Sequence, residues 1–425
     1  MCVVPRPLHS ERIRSVLAGA LAVLTVLAGP GATAAGAAAD PLRGLQWGLD
    51  AIHLQPAKGT ATGAGALVAV VDSGVDAAHP DLAGRVVAGP DLVDGDGIPD
   101  DPTGHGTHIA GIIAAAAGNG IGMAGIAPSA QILAVRVLGT DNNGTAANVA
   151  AGIDAAVAAG ADVVNISLNW SQTNPQLAPV TAAMQRAADA GALLVVAAGN
   201  DAQARCEEPV LPQRALCVGA LGGDLKLASF SSYGQGLGLV APGDDVMSTW
   251  RDGGYESMSG TSQAAAMTSG VAALLAGLGL RGEALMQVLV STARDIGTPG
   301  ADARSGAGML DADRAVEGAL RQRTPAVLRA DAATRAAPET VRRRGLRVTC
   351  DAARPGVCRV SLRVGGTVVA RGSAAVDGTG AVDVVAHPTV AGRRLLAGRR
   401  ALSGVIETSL RGASSLRSPL ALRAR

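Results

Sequence analysis

Aromatic residues are almost absent from this chain of 425 residues, because phenylalanine, tyrosine and tryptophan together make up 1% of it. Alanine, valine, leucine and the 57 glycines must therefore fill the interior. Small side chains let helices pack closely on a parallel sheet, so the composition favours that architecture over a sandwich centred on tryptophan or tyrosine. With 48% hydrophobic residues, the chain is neither disordered nor collagen-like.

Beyond the N-terminal segment, the sequence has no uncharged apolar run long enough to cross a bilayer. The run from Val16 to Gly29 spans about 14 residues, whereas a transmembrane helix needs about 20. Arginines precede this run, and two A-x-A sites end at Ala34 and Ala39. The pattern is typical of a secretory signal peptide over residues 1–39, with an uncleaved anchor as the alternative. We expect a secreted, extracellular protein that leaves the membrane after signal cleavage.

Cysteine is scarce, with five in the chain. Removal of the signal peptide takes Cys2 and leaves an even number, which suits disulfide formation in an oxidising compartment. Of the three connectivities, local pairing is favoured, joining Cys206 to Cys217 and Cys350 to Cys358. Four unpaired thiols are the alternative, and the C-x-x-C spacing of a metal site is missing.

Charges of the two signs are unevenly distributed along the chain. Residues 40–320 carry 13 basic and 28 acidic residues, a net charge of −15, whereas residues 321–425 carry 20 and 6, a net charge of +14. The acidic part argues against a nucleic acid ligand, and the basic part is compatible with an anionic partner at the cell surface. We therefore expect two domains with these boundaries, joined by a linker around Thr324-Pro325.

Hydrophobic periodicity differs between the two parts. Short apolar runs alternate with alanine-rich helical stretches in residues 40–320, which is the βαβ signature of a parallel sheet with helices on both faces. Beyond Arg321, period-two segments such as Val360 to Val364 are separated by glycine and proline. The sequence predicts an α/β fold, a three-layer α/β/α domain with a parallel central sheet, followed by a small all-β, sandwich-like domain.

Three polar residues stand where α/β domains place their sites. Asp72 ends the predicted strand from Leu67, at the carboxyl end of a parallel strand. His105 opens one helix, and Ser262 opens another beside free backbone N–H groups. Taken singly, these residues would be a turn residue, a cap and an N-cap. Together, in the order Asp, His, Ser, they form the set that acyl transfer requires.

At these residues the sequence resembles the subtilisin-like serine proteases, the subtilase or peptidase S8 family, whose triad has the same order. The resemblance runs from about Gln46 to Asp311. Its motifs, in chain order, are Val70–Gly74, His79–Leu82, Gly104–His108, Ala198–Asn200, Ala241–Gly243 and Ser259–Ser262. A G-x-S-x-G elbow is absent around Ser262, which disfavours an α/β-hydrolase esterase.

The resemblance implies a secreted serine endopeptidase that acts on protein or peptide substrates and needs no cofactor for catalysis. Ser262 would attack the peptide carbonyl, His105 would take and return the proton, and Asp72 would hold the imidazole tautomer. Asn200 would donate to the oxyanion together with the backbone N–H of Ser262, with a turn residue as the alternative.

The resemblance also implies two strand edges that bind an extended peptide, formed by Ser167 and Leu168 on one side and by Asn142 and Gly144 on the other. Relatives commonly follow that Ser-Leu with Gly-Gly, whereas this chain has Asn169-Trp170. We expect these side chains to narrow the first specificity pocket, so that small residues such as alanine are preferred. The alternative is an open pocket with Trp170 turned to solvent.

A structural calcium site is a further implication of the resemblance. Asp81 and Asn119 match the family's commonest calcium-binding pattern, with an ordinary glycine-rich turn as the alternative. A cluster of aspartates is expected to form a solvated loop, with cation binding as the alternative: Asp91, Asp94, Asp96, Asp100 and Asp101.

The sequence departs from the family pattern in two places. After Ser262, relatives usually have Met and then, three places further on, Pro-His, but this chain has Gln263 and then Ala266-Met267. Most secreted relatives also carry a folding prodomain, where this chain has the short tract from Asp40 to Trp47. These departures leave a second hypothesis open, a non-catalytic binding protein with a subtilase fold at the cell surface.

Overall fold

A computed structural model describes residues 2–3, 39–54, 61–170, 177–206, 215–323, 329–332, 337–352, 356–376, 380–410 and 416–423. The expected signal peptide falls almost wholly outside the described residues, and the linker around Thr324-Pro325 also lies outside them. The chain divides into two compact units, Met1–Ala319 and Leu320–Arg425.

The first unit alternates strands and helices. Its strands are β1 (Cys2–Val3), β2 (Leu67–Asp72), β3 (Val86–Asp91), β4 (Gln131–Arg136), β5 (Asn143–Gly144), β6 (Val163–Ile166), β7 (Asn169–Trp170), β8 (Leu193–Ala197), β9 (Ala215–Leu221), β10 (Leu237–Pro242), β11 (Val246–Trp250) and β12 (Gly254–Met258). Its helices are α1 (Trp47–Ala51), α2 (His105–Ala114), α3 (Ala146–Ala158), α4 (Ala178–Asp189), α5 (Thr261–Gly277), α6 (Gly282–Thr292) and α7 (Ala312–Arg323), the last of which crosses the boundary between the units.

A parallel sheet of seven strands forms the centre of this unit, in the order β10-β9-β8-β6-β2-β4-β3. After β4 the chain crosses over β2 and continues with β6 on its other side, so the strand order reverses between β2 and β6. Ligands bind at the carboxyl ends of strands at such a switch point. Asp72, the last residue of β2, stands at this point.

Continuous apolar runs explain why these strands lie in the middle of the unit. All residues of β8 are buried, as are those of β6, which suits strands covered by helices on both faces. Helix α5 is buried along its length from Thr261 to Ala276, because its alanines let it pack against β6, β8 and β9, while Gly270 lies against Ile126. The predicted α/β fold with a parallel central sheet and a separate C-terminal all-β region is confirmed.

The second unit contains strands β13 (Arg329–Ala332), β14 (Leu346–Ala352), β15 (Gly356–Val364), β16 (Thr367–Val376), β17 (Gly380–Pro388), β18 (Ala401–Leu410) and β19 (Leu416–Arg423). Two short helices that the sequence did not predict accompany them, α8 (Pro338–Arg344) and α9 (Val390–Leu396). The strands are antiparallel and follow the order β13-β14-β17-β16-β15-β18-β19.

The expected sandwich needs one correction, because hydrogen bonds connect all these strands into a single sheet. Strands β16 and β17 pair only at Ala370 with Pro388 and at Arg371 with His387, so the sheet is nearly divided there. Buried side chains on both sides of this narrow join nevertheless pack in one shared core. Val348 on β14 is one of them.

Both local disulfides are present, Cys206–Cys217 in the first unit and Cys350–Cys358 in the second. The first connects the segment after β8 to β9, and the second connects β14 to β15. Within the described part of the chain, no single helix has the length and hydropathy of a membrane span, although α5 and α6 reach both as a pair bent by 119°.

Candidate active site

Asp72 and His105 are in direct contact at the carboxyl end of β2. His105 is the first residue of α2, and its Nδ1 atom lies 2.8 Å from Asp72 Oδ1. Both side chains are buried, and the backbone N–H of Ser73 donates to the same carboxylate oxygen at 2.7 Å. Burial alone would lower the pKa of His105, but the charge of Asp72, its hydrogen bond and the charge of Asp101 together raise that pKa above its ordinary value.

Glycine makes this contact sterically feasible. A Cβ atom on Gly106 would lie 2.0 Å from the carbonyl oxygen of Gly74 and 3.2 Å from the Cβ atom of Asp72. The first turn of α2 therefore packs directly on the turn that follows β2. Any side chain at position 106 would push His105 away from Asp72.

A second buried carboxylate, Asp101, holds the start of α2. Its Oδ1 atom accepts from the backbone N–H of Gly104 at 2.8 Å, and its Oδ2 atom accepts from the N–H and the hydroxyl of Thr107 at 2.8 and 2.7 Å. Asp101 thus satisfies N–H groups that the first helical turn leaves free, where a negative charge is also favoured by the helix dipole.

The prediction of a solvated acidic loop was wrong for two of its members. Asp101 is 7% exposed, and Asp91 is 4% exposed and binds Arg136 with a 2.7 Å separation between Oδ2 and Nη1. The signal that sequence reasoning missed is the Asp-Pro-Thr-Gly segment before the helix start, because an aspartate in a turn commonly accepts the backbone N–H two residues on, as Asp101 does from Thr103 at 3.0 Å.

Only the first histidine of the Gly104–His108 motif contacts the Asp72 carboxylate. His108 is fully buried, and its Nε2 atom lies 3.1 Å from the carbonyl oxygens of Val246 and Glu256. Burial, followed by the charge of His105, lowers the pKa of His108 to about 3. His108 is therefore neutral and connects α2 to the hairpin of β11 and β12.

Ser262 lies at the start of α5, where it exchanges hydrogen bonds with the residue after β6. Its hydroxyl donates to the carbonyl oxygen of Ser167 at 3.2 Å, and the Ser167 hydroxyl donates to the carbonyl oxygen of Ser262 at 3.1 Å. This reciprocal pair ties the start of α5 to the carboxyl end of β6, the strand next to β2. Helix α5 also packs against α2, which begins with His105.

Asn200 follows the carboxyl end of β8 and also meets the start of α5. Its Oδ1 atom accepts from the backbone N–H and the hydroxyl of Thr261, each at 2.9 Å. Its Nδ2 atom is buried and has no hydrogen-bond partner among the described residues. Thr261 therefore orients the amide, and its nitrogen is available to another acceptor. An unsatisfied buried donor costs about 1 to 3 kcal/mol, which such an acceptor would offset.

The two predicted substrate edges lie on either side of an extended backbone segment. Strand β1 pairs antiparallel with β5 on one side and with β7 on the other, so that Cys2 stands opposite Gly144 and Trp170. Asn142 precedes β5 with a φ of 59°, and Leu168 is buried in the core. These edges therefore accept an extended chain in the way that β-augmentation requires. The side chains of β7 lie outside the described part, so the narrowed pocket stays a prediction.

Asp81 and Asn119 lie together, but their arrangement does not match a cation site. Asn119 Nδ2 donates to Asp81 Oδ1 at 2.8 Å, while Asp81 Oδ2 accepts from the N–H of Met123 and the hydroxyl of Tyr255, each at 2.9 Å. Calcium needs several oxygen ligands, whereas here the amide presents its nitrogen and both carboxylate oxygens are occupied. The described residues contain no cluster of three or more His, Cys, Asp or Glu side chains suited to a metal. Calcium stays a prediction, and this geometry favours the metal-free turn.

Comparisons with known proteins agree with this geometry. Residues 63–308 match the subtilase family, peptidase S8, and this span includes Asp72, His105, Asn200 and Ser262. Thermitase from Thermoactinomyces vulgaris is 41% identical over 255 residues, covering 60% of this chain and 90% of thermitase. A thermophilic serine proteinase from Bacillus sp. strain AK1 is 42% identical, over 55% of this chain and 57% of that protein.

Solved structures show the same similarity. A protease from Pseudoalteromonas arctica PAMC 21717 superposes with a TM-score of 0.61 at 30% identity, covering 67% of this chain and 99% of that one. A cold-adapted subtilisin-like serine proteinase superposes with a TM-score of 0.56 at 32% identity, covering 63% of this chain and 97% of that one.

Proposed function

Since this chain belongs to the subtilase family of serine endopeptidases, we propose that it is a secreted endopeptidase whose catalytic residues are Asp72, His105 and Ser262. The observation that carries the proposal is the buried 2.8 Å contact between Asp72 and His105 at the switch point of the sheet. It supplies an imidazole oriented by a carboxylate, which is what activation of a serine hydroxyl requires.

The proposed reaction proceeds through an acyl-enzyme. With its Nδ1–H donated to Asp72, neutral His105 has a free Nε2 that takes the proton of Ser262 as the Oγ atom bonds to the peptide carbonyl carbon. His105 then gives this proton to the amine as the carbon–nitrogen bond breaks. Water, activated in the same way by His105, hydrolyses the ester and restores the Ser262 hydroxyl.

Asn200 is the proposed oxyanion donor. Thr261 holds its amide oxygen, so the amide nitrogen is directed without a competing protein acceptor among the described residues. Such a donor stabilises the negative charge that develops on the carbonyl oxygen in the transition state, and it contributes about 10²- to 10³-fold to the rate.

Export is proposed on the basis of the N-terminal pattern and the two disulfides, which suit an oxidising compartment. Cleavage after Ala34 or Ala39 would also remove β1 from between the edges β5 and β7. A protein or peptide substrate would then pair with these edges in place of β1. The C-terminal unit, with its excess of arginine, is proposed to bind an anionic partner at the cell surface.

Labelling with a serine-directed fluorophosphonate probe tests the proposal. We expect stoichiometric labelling of the folded parent chain and none of Ser262→Ala. As a matched control, Ser291→Ala changes an exposed serine of α6 and should label like the parent. Absence of labelling in the folded parent would favour a non-catalytic binding protein instead.

A further inference from the structure

One face of the C-terminal sheet carries a groove where β15, β16 and β18 lie side by side. The groove has a volume of about 640 Å³. Two arginines, two serines and a glutamate line it together with a valine and a glycine: Arg359, Arg371, Ser361, Ser373, Glu407, Val360 and Gly372. No aspect of the proposed peptide hydrolysis involves this surface.

Strand register explains how these side chains come together. Arg359 of β15 pairs with Ser373 of β16, and Ser361 of β15 pairs with Arg371 of β16. The alternate residues of β15 face the core, because Val360 is only 2% exposed. Since side chains alternate between the faces of a strand, the two arginines and two serines share the outer face as diagonal neighbours.

The charges of Arg359 and Arg371 are not neutralised within the described residues. Arg359 and Arg371 are exposed and form no ion pair there. The carboxylate of the groove, Glu407, lies 3.1 Å from the Nε atom of Arg363, so its charge is already shared. Diagonal neighbours on a sheet are within reach of long side chains, so one anion could contact both arginines.

The groove suits an anion with several acceptor oxygens, such as phosphate. Guanidinium groups bind phosphate in a bidentate manner, and the serine hydroxyls supply further donors for its remaining oxygens. An open groove accommodates a polymer. Residues 321–425 contain no phenylalanine, tyrosine or tryptophan on which the bases of single-stranded nucleic acid could stack.

We propose that this groove binds a phosphate-rich anionic polymer outside the cell through Arg359 and Arg371. The inference specifies the anionic partner proposed above and rests on that proposal, but it does not depend on the chemistry of Ser262.

Binding to fluorescently labelled inorganic polyphosphate tests the inference. The full chain carries Ser262→Ala to prevent self-digestion, and the groove variant adds Arg359→Ser and Arg371→Ser. The matched control adds Arg394→Ser and Arg399→Ser, which remove the same charge from exposed positions of the same unit. We expect Kd to rise about tenfold or more in the groove variant, because bonds between charged groups are lost, and by less than about twofold in the control.

Each other outcome has a definite meaning. Equal weakening in both variants would overturn the groove and indicate that the anion binds a diffuse cationic surface. No binding by the parent chain would overturn both the groove and the anionic partner. Tighter binding to polyglutamate would indicate that the partner is a carboxylate polymer, and tighter binding to single-stranded DNA would indicate a nucleic acid. Hydrolysis of a small peptide by the active chain should be unchanged by the groove substitutions, so failure here is separate from failure of the protease proposal.

Discussion

The hydroxyl of Ser73 donates to Oδ1 of Asp101 at 2.8 Å, and the same hydroxyl accepts the backbone N–H of Gly106 at 3.0 Å. Ser73 follows Asp72, and Gly106 follows His105. The proposed catalytic carboxylate and imidazole are therefore joined by a second connection through their neighbours, in which the Ser73 hydroxyl lies between Asp101 and the backbone of Gly106. Asp101 contacts no proposed reacting atom, so we regard it as a positioning residue.

Asp101→Asn should shift the acid limb of the kcat/KM profile to lower pH. The charge of Asp101 raises the pKa of His105, so its removal lowers the pH below which the imidazole is protonated and inactive. The variant should also lose about 1 to 3 kcal/mol of stability, because an amide cannot accept all the hydrogen bonds of the carboxylate. Asp100→Asn, at an exposed position, is the control. An acid limb that stays in place in Asp101→Asn would contradict this role.

Asn200→Asp should lower kcat by about 10²- to 10³-fold while KM changes little. The aspartate retains an oxygen that accepts from Thr261 but lacks the amide N–H donor. Steady-state kinetics on a small peptide measures the effect, and Asn148→Ala on α3 serves as the control. A kcat equal to that of the parent would remove Asn200 from the oxyanion hole.

The pairing of His105 with Asp72 should stabilise the protein at mildly acid pH. The folded-state pKa of His105 is raised, so this stabilisation is complete below about pH 6.5, the ordinary histidine value, and is lost as pH rises through the raised pKa. In a Ser262→Ala background, adding His105→Gln should therefore lower Tm most between about pH 5 and 6.5. A Tm difference that stays constant up to pH 9 would show that the charged pair does not form. Activity has the opposite dependence, because catalysis needs the neutral imidazole.

A chain that begins at Asp40 should have a lower KM than one that retains residues 1–39. Strand β1 pairs with both edges that a substrate would use, so residues 1–39 compete with the substrate. Val3→Pro in the longer chain is the matched control, because proline removes a backbone donor from β1 and should lower KM towards that of the short chain. Equal KM values in all three would indicate that β1 does not compete.

The side chains of Asn169 and Trp170 should narrow the first specificity pocket, so that the enzyme prefers alanine over phenylalanine on the acyl side of the scissile bond. Pocket discrimination of this kind amounts to about 10- to 200-fold in kcat/KM. Two matched peptides that differ only at this residue provide the measurement. Replacing both residues by glycine should reverse the preference, and a parent chain that favours phenylalanine would refute the narrowed pocket.

Local signals were sufficient to locate much of the fold and the candidate catalytic residues. The apolar run that ends at Asp72 and the alanine-rich segment from Ser262 predict a strand and a helix within about a turn of their observed bounds, because periodicity and capping depend on neighbours in the chain. The order of the motifs then indicated the family.

Tertiary structure alone distinguished residues that look equivalent in the sequence. His105 and His108 share one motif, but β2 supplies a carboxylate to the first and the hairpin of β11 and β12 supplies carbonyl groups to the second. Asp101 and Asp100 are adjacent aspartates, yet only Asp101 is buried under α2. The segments that bury and contact these residues are far apart in the chain. Their positions decide which carboxylates are hydrogen-bonded, which pKa values shift and which donor lacks a partner among the described residues.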